Sequence, residues 1–269
     1  MSFGKRFIVA PHTKVKLHHR DPDDTADVEK GDKAHERLVK NVERMEDLQY
    51  RLYAESRRAL LVVLQGIDAG GKDGTVRHVM SGLNPQGCKV TSFKVPSSEE
   101  AAHDFLWRIH KAMPARGEMG IFNRSHYEDV LVVRVHNLVP RSVWSARYDQ
   151  INEFEKLMSE NGVTILKFFL HISKKEQLAR LDARIEDPAR NWKISDADFK
   201  ERKLWDDYVE AYEAMLSRCS TKVAPWYIIP ANKKWFRNLA VSQIILETLE
   251  QMNPKFPKPT VDLSKIKGK

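Results

Sequence analysis

Apolar side chains at Leu38, Val42, Met45, Leu48 and Leu52 step by three and four, which predicts an amphipathic helix from Lys33 to about Arg58. Ala59–Gln65 breaks that rhythm. It is a short Leu/Val run without polar alternation, as in a strand buried on both faces. A glycine-rich turn follows, then a helix from Lys72 to about Ser81, stopped by "GLNPQG". The alternation then repeats. "KVTSFKV" reads as a strand and "SSEEAAHDFLWRIHKAM" as one helix, with Ser97 or Ser98 as cap and Glu100 completing a capping box. "EMGIFN" is a short strand. "SHYEDVLVVRVHNLV" reads as helical, and residues 141–161 form a helix ended by Gly162. "VTILKFFLHI" is a buried strand, and the helix over 173–187 stops before Pro188. A long helix spans 195–220, capped at Ser195 or Asp196. "PWYIIPA" is the last strand and 233–252 the last helix.

Five strands alternating with helices predict an α/β fold whose parallel sheet is covered on both faces. The expected organisation is an irregular N-terminal arm over 1–32, one catalytic domain over 33–253, and a loose Pro- and Lys-rich tail over 254–269. Ligands in such folds bind beyond the carboxyl ends of the strands, so the loops after Gln65, Val95, Phe122, Ile172 and Ala231 should meet at one cleft. Between the fourth and fifth strands the crossover is long. Its two helices, joined by "PARNWKISDAD", suit a hinged lid over about 174–210.

Composition narrows the class. With 269 residues and 42% hydrophobic content, the chain can bury a full core. No apolar run is long enough to span a membrane, and the N-terminus lacks a secretory apolar stretch. Cys88 and Cys219 are far apart and fit neither a metal nor a redox motif, so reduced thiols in a cytoplasmic protein are expected. The formal net charge of +8 favours an anionic partner. No dense basic-aromatic tract or zinc-finger spacing points to nucleic acid.

The glycine turn supplies the chemistry. Gly66–Ile67–Asp68–Ala69–Gly70–Gly71–Lys72 matches G-x-x-x-x-G-K between a strand and a helix. Gly66, Ala69, Gly70, Gly71, Asp73 and Gly74 are the expected phosphate-cradling backbone, and Lys72 adds a full charge. The Ser or Thr that ordinarily follows the lysine and ligates Mg²⁺ is here Asp73, an acid suited to a helix's first turn. Asp68 is therefore the expected metal-holding carboxylate, with a cation reversing the sign of its interaction with phosphate. Asp129 and Glu118 are candidate second carboxylates. At the end of the third strand, Arg124 is placed to meet phosphate. Asn123, Arg124, His126, Glu128 and Asp129 are the expected nucleotide contacts. Direct transfer needs only positioning and charge neutralisation, so a phosphate-accepting His126 is the weaker reading. In the lid, Arg180, Arg184, Arg190, Lys193, Arg202 and Lys203 offer cations. Arg184, Arg190 and Lys193 are the expected phosphate contacts, the last two flanking Trp192.

Taken together, "VVLQGIDAGGKDGT", "FNRSHYEDVLVVRV", "ILKFFLHIS", "NWKISDAD" and "APWYIIPANKKW" resemble segments of the polyphosphate kinase 2 family, in order, from about residue 20 to 250. The resemblance implies a P-loop kinase fold, a three-layer α/β/α sandwich with a helical lid. It implies Mg²⁺-dependent phosphoryl transfer, with Mn²⁺ as a substitute, between inorganic polyphosphate and AMP, ADP or ATP. Asp68, Lys72 and Arg124 would be its catalytic residues, and a homodimer or homotetramer its assembly. Members that mainly interconvert ADP and ATP show Asp-Arg-Ser-Trp-Tyr where this chain has Asn123-Arg124-Ser125-His126-Tyr127. The local sequence is similar to that of the subgroup accepting both AMP and ADP, and the departure shifts the metal-holding role from position 123 to Asp129. An ATP-dependent nucleoside or nucleotide kinase and a nucleic-acid-binding ATPase are the alternatives. Asp73 and the missing basic-aromatic tract count against them.

Overall fold

The computed structural model describes residues 2–261 and 263. Residues 262 and 264–269 of the expected tail lie outside the described residues. The elements in order are α1 (Phe3–Phe7), α2 (Asp32–Glu55), β1 (Ala59–Gln65), α3 (Lys72–Val79), β2 (Cys88–Ser92), α4 (Ser98–Ala101), α5 (Trp107–Ala112), β3 (Met119–Asn123) and α6 (Val132–Val135). There follow α7 (Arg141–Glu160), β4 (Val163–His171), α8 (Lys174–Glu186), α9 (Asp196–Lys203), α10 (Trp205–Arg218), β5 (Trp226–Pro230) and α11 (Lys234–Met252).

The five strands are parallel in the order β2-β3-β1-β4-β5. Strand β1 is buried along its whole length, and alternation sends its side chains to two cores. Leu60, Val62 and Leu64 join Met45, Leu48 and Leu52 of α2 and Leu239 and Ile245 of α11. Ala59, Leu61 and Val63 join Tyr148 and Ile151 of α7 and Met215 and Leu216 of α10. The result is three layers, as the buried Leu/Val run requires. From β1 the chain crosses β3 to reach β2, whereas from β3 it crosses β1 to reach β4. The loops after β1 and β3 therefore part in opposite directions and open a crevice between them.

Three expected helices are interrupted, each for a local reason. Residues 97–113 split into α4 and α5. Ser97 does cap α4 with the Glu100 capping box, but the Asp104 carboxylate then accepts from the Leu106 N–H, an alternative to the helical ladder. The segment after β3 is a 3-10 turn over His126–Val130 and then the short α6, consistent with the poor helix propensity of its valine run. Ser195 caps α9, but the expected long helix breaks at Leu204 (φ −90°, ψ 18°) before α10. The N-terminal arm is less irregular than its sequence suggests. Phe3 and Phe7, one turn apart on α1, pack edge-on to Phe236, and the Val9 N–H donates to Trp226 O beside β5. No helix among the described residues is long and apolar enough to cross a membrane.

Candidate active site

The crevice opens into a cleft of about 1370 Å³ at the carboxyl ends of the strands, between the glycine loop and the α8–α9 excursion. Its lining carries ten Lys and Arg side chains against six carboxylates. That surplus of positive charge favours an anion in the cleft.

The loop has the conformation its sequence demands. Gly71 has φ +103°, and a Cβ there would lie 1.9 Å from Arg237 Nη1. Gly70 turns so tightly that a Cβ would lie 2.7 Å from Ile67 O. Lys72 opens α3, is buried, and donates to Gly66 O at 2.6 Å, which arches the loop over its ammonium. Burial, reinforced by the nearby Arg124 charge, pulls its pKa below the usual lysine value. Thr75, two positions after Asp73, donates its hydroxyl to Gly71 O at 3.1 Å.

From β3, Arg124 is presented by a left-handed backbone (φ 63°), an uncommon state for a non-glycine residue. Its guanidinium reaches Asp68 at 2.6 Å and Glu128 at 3.3 Å. The turn is anchored below: Gln65 Nε2 donates to Ser125 Oγ at 3.2 Å, and His126 and Tyr127 are fully buried. Glu155 Oε1 lies 3.1 Å from His126 Nε2 and accepts from the Tyr127 hydroxyl at 2.8 Å. Lys167 Nζ closes the network on Glu155 Oε2 at 2.5 Å. Burial opposes ionisation of Glu155, but Lys167 and His126 outweigh it and hold its pKa below the usual range.

The expected site residues therefore divide. Asp68, Ala69, Gly71, Lys72, Asp73, Gly74, Asn123, Arg124, Arg184, Arg190 and Lys193 line the cleft together. Gly66 and Glu128 line a small adjoining pocket with Asp68, Arg124, Glu201 and Tyr208. Asn123 Nδ2 and Lys193 Nζ both donate to Asp73, at 2.8 and 3.2 Å, so the lid tip touches the start of α3. Partial burial works against Asp73, yet these two hydrogen bonds hold its pKa low. His126 does not reach the cleft, because its ring belongs to the buried Glu155 network. Asp129 is turned to Arg147 at 2.9 Å, and burial raises its pKa. Glu118 must be withdrawn as a partner of Asp68. It precedes β3 at the amino ends of the strands, where Met119 pairs with Leu60, about 16 Å along the strand from the cleft. Its carboxylate instead accepts from the Ala115 N–H. Among the described residues no three His, Cys, Asp or Glu side chains converge as a ready cation cage.

Two arginines were undervalued in the sequence. Arg180 is a buried strut: its guanidinium donates to Ala69 O and Gly70 O at 2.9 and 3.1 Å and to the carbonyls of Ala231 and Asn232. Arg237, from the first turn of α11, lies against the loop with only the Asn238 amide oxygen as hydrogen-bond partner among the described residues. Burial and the neighbouring Arg180 push its pKa down to about 10. Gly74 was the available signal. A glycine inside a helix costs about 1 kcal/mol relative to alanine, and here a Cβ would lie 3.1 Å from Arg237 Nη2.

Comparison with known proteins agrees with this geometry. The sequence matches the family model described as Polyphosphate kinase 2 (PPK2) over residues 28–257. It is 53% identical to an AMP/ADP-polyphosphate phosphotransferase of Meiothermus ruber, over 97% of this chain and 98% of that protein. It is 50% identical to an ADP-polyphosphate phosphotransferase of Rhodopseudomonas palustris, over 84% and 82%. The crystal structure of polyphosphate kinase 2 from Arthrobacter aurescens superposes with a TM-score of 0.93 at 42% identity, covering 99% of this chain and 95% of that one. The phosphate loop, the arginine after β3, the lid and these matches together show that the chain belongs to the polyphosphate kinase 2 family, with its P-loop kinase fold.

Proposed function

We propose that this enzyme transfers phosphoryl groups reversibly between inorganic polyphosphate and adenine nucleotides, phosphorylating AMP to ADP and ADP to ATP. The observation that carries this reading is the cation surplus around the P-loop, with Arg237 buried against it and paired to no carboxylate among the described residues. A polyanionic donor supplies the missing charge. The names of the relatives from Meiothermus ruber and Rhodopseudomonas palustris support the same substrates.

Phosphoryl transfer asks for alignment and charge neutralisation rather than covalent chemistry by the protein. The loop N–H groups and Lys72 hold the donor end. Arg124 stands between the loop and the acceptor side, where it can neutralise charge on the transferred group. The tie to Asp68 and Glu128 fixes its orientation beforehand. The residues present fit a Mg²⁺ ion that arrives with its phosphates, because that ion takes one or two carboxylates together with phosphate oxygens and waters. Asp68 would hold it, with Glu128 behind, and Mn²⁺ would serve in its place. When bound, the ion supplies charge neutralisation between donor and acceptor. Closure of the lid through Lys193 and Asp73 would exclude water from the transfer.

The test is purified protein with Mg²⁺, AMP and polyphosphate but no ATP, following nucleotides by chromatography. ADP should appear first and ATP after it. An enzyme that forms neither, yet phosphorylates a nucleoside or nucleotide when ATP is supplied, would contradict the proposal.

A further inference from the structure

Arg124 keeps its left-handed conformation (φ 63°) between two fixed ends of the chain. At the near end its N–H donates to Leu64 O on β1 at 3.1 Å, and Ser125 adds the tie to Gln65. At the far end a single carboxylate holds two consecutive side chains. Glu155 Oε1, from α7, accepts from the Tyr127 hydroxyl at 2.8 Å and lies 3.1 Å from His126 Nε2. His126 Nδ1 has no partner among the described residues, so Glu155 is the ring's only polar tie there. Lys167, from β4, orients the carboxylate. Its ammonium donates to Glu155 Oε2 at 2.5 Å, to the Tyr127 hydroxyl at 2.8 Å and to Cys219 O, just after α10, at 2.6 Å. His126, Tyr127, Glu155 and Lys167 are all fully buried, and none of the four lines the cleft.

A buried ion pair is a poor source of stability, since well-packed apolar side chains of similar volume often do as well. What apolar packing does not supply is direction. A non-glycine residue persists in a left-handed turn only where its surroundings over-determine it. We propose that Glu155, oriented by Lys167, is a positioning residue for the reaction: by holding His126 and Tyr127 in the core it keeps Arg124 in its turn, with the guanidinium aimed at the transferred phosphoryl group. The inference rests on reading Arg124 as the residue that neutralises that group.

The experiment measures Tm, kcat and the polyphosphate KM, with AMP as acceptor, in wild type, Glu155→Leu/Lys167→Met and Glu155→Gln/Lys167→Met, each with and without Arg124→Ala. Both double substitutions remove the two charges together, so neither leaves a buried ion unpaired. Only the glutamine version keeps an acceptor oxygen for His126 and Tyr127. The leucine version should fold, lower kcat about thirtyfold and leave the polyphosphate KM within about twofold of wild type. The glutamine version should restore most of kcat. With Arg124→Ala present, neither pair should lower kcat further, because the effect passes through that guanidinium. If the leucine version does not fold, Tyr127→Phe, which loses only the hydroxyl on Glu155, carries the same comparison with a fall of about fivefold. A kcat that survives loss of the acceptor, or that falls equally with and without Arg124, would overturn the proposal. A wild-type enzyme that forms no product from polyphosphate would instead overturn the reading of Arg124 itself, and the positioning role with it.

Discussion

Lys72 and Arg237 are both cations kept from water with no ion-pair partner among the described residues, although the charges of Asp68, Glu128 and Asp73 partly offset burial at Lys72 and no carboxylate does so at Arg237. For Lys72 the sign follows from burial. Its pKa is below the ordinary lysine value in the free enzyme, and bound phosphate, being anionic, raises it again. The alkaline limb of kcat/KM for polyphosphate should therefore fall at a lower pH than the limb of kcat, because the first reports free enzyme and the second the complex. Coincident limbs in a pH-rate series would show that Lys72 does not meet the donor. Arg237→Gln should separate stability from activity. Removing a buried, uncompensated charge should raise stability by about 1 kcal/mol, seen as a Tm rise of roughly 2–4 °C. It should also raise KM for polyphosphate; a variant that loses stability while keeping its KM would assign Arg237 to the core. Lys72 was legible because a lysine after that glycine pattern has one familiar task. Arg237 was not, because its partner loop is more than 150 positions away, and only Gly74 hinted that something must approach α3.

The elements were legible where one period dominated. Strand β1 is an apolar run up to Gln65 and β4 a mostly apolar one despite Thr164 and Lys167, and α2, α7 and α11 carry stripes wide enough to fix their extents to within a few residues. The failures sit where a short-range hydrogen bond competes with the helix, as at Asp104, or where the chain must turn a corner, as at Leu204. The latter break bears on function, since it separates α9, on the lid, from α10, packed on the sheet. The sequence reading expected a hinged lid over about 174–210 but ran 195–220 as one helix, with no break at Leu204. Contact between lid and core at the tip runs through Lys193 and Asp73, both partly exposed, so it should add little to global stability. Lys193→Ala is accordingly expected to leave Tm within about 1 °C of wild type while raising KM for the substrates several-fold. Equal KM values by steady-state kinetics would remove the latch from the account.

Across the whole molecule, parallel strand order places every loop that carries chemistry on one side. This explains why Asp68, Lys72 and Arg124 meet in one cleft as expected, and why Glu118 does not join them. A carboxylate one position before a five-residue strand is close in sequence to Asn123, yet lies at the opposite edge of the sheet. His126 misled for a related reason: it follows Arg124 by two positions, but the strained turn that offers Arg124 to the cleft drives the next two side chains into the core. The net charge of +8 was visible from composition, whereas its concentration at the strand ends needed the fold. The central claim is that Lys72 acts on the phosphoryl group in transit, in this cleft. Steady-state kinetics of Lys72→Ala with AMP and polyphosphate test it most directly. The account predicts a loss of about two to three orders of magnitude in kcat, with a wild-type circular dichroism spectrum. A kcat near wild type, with only the polyphosphate KM raised, would contradict it.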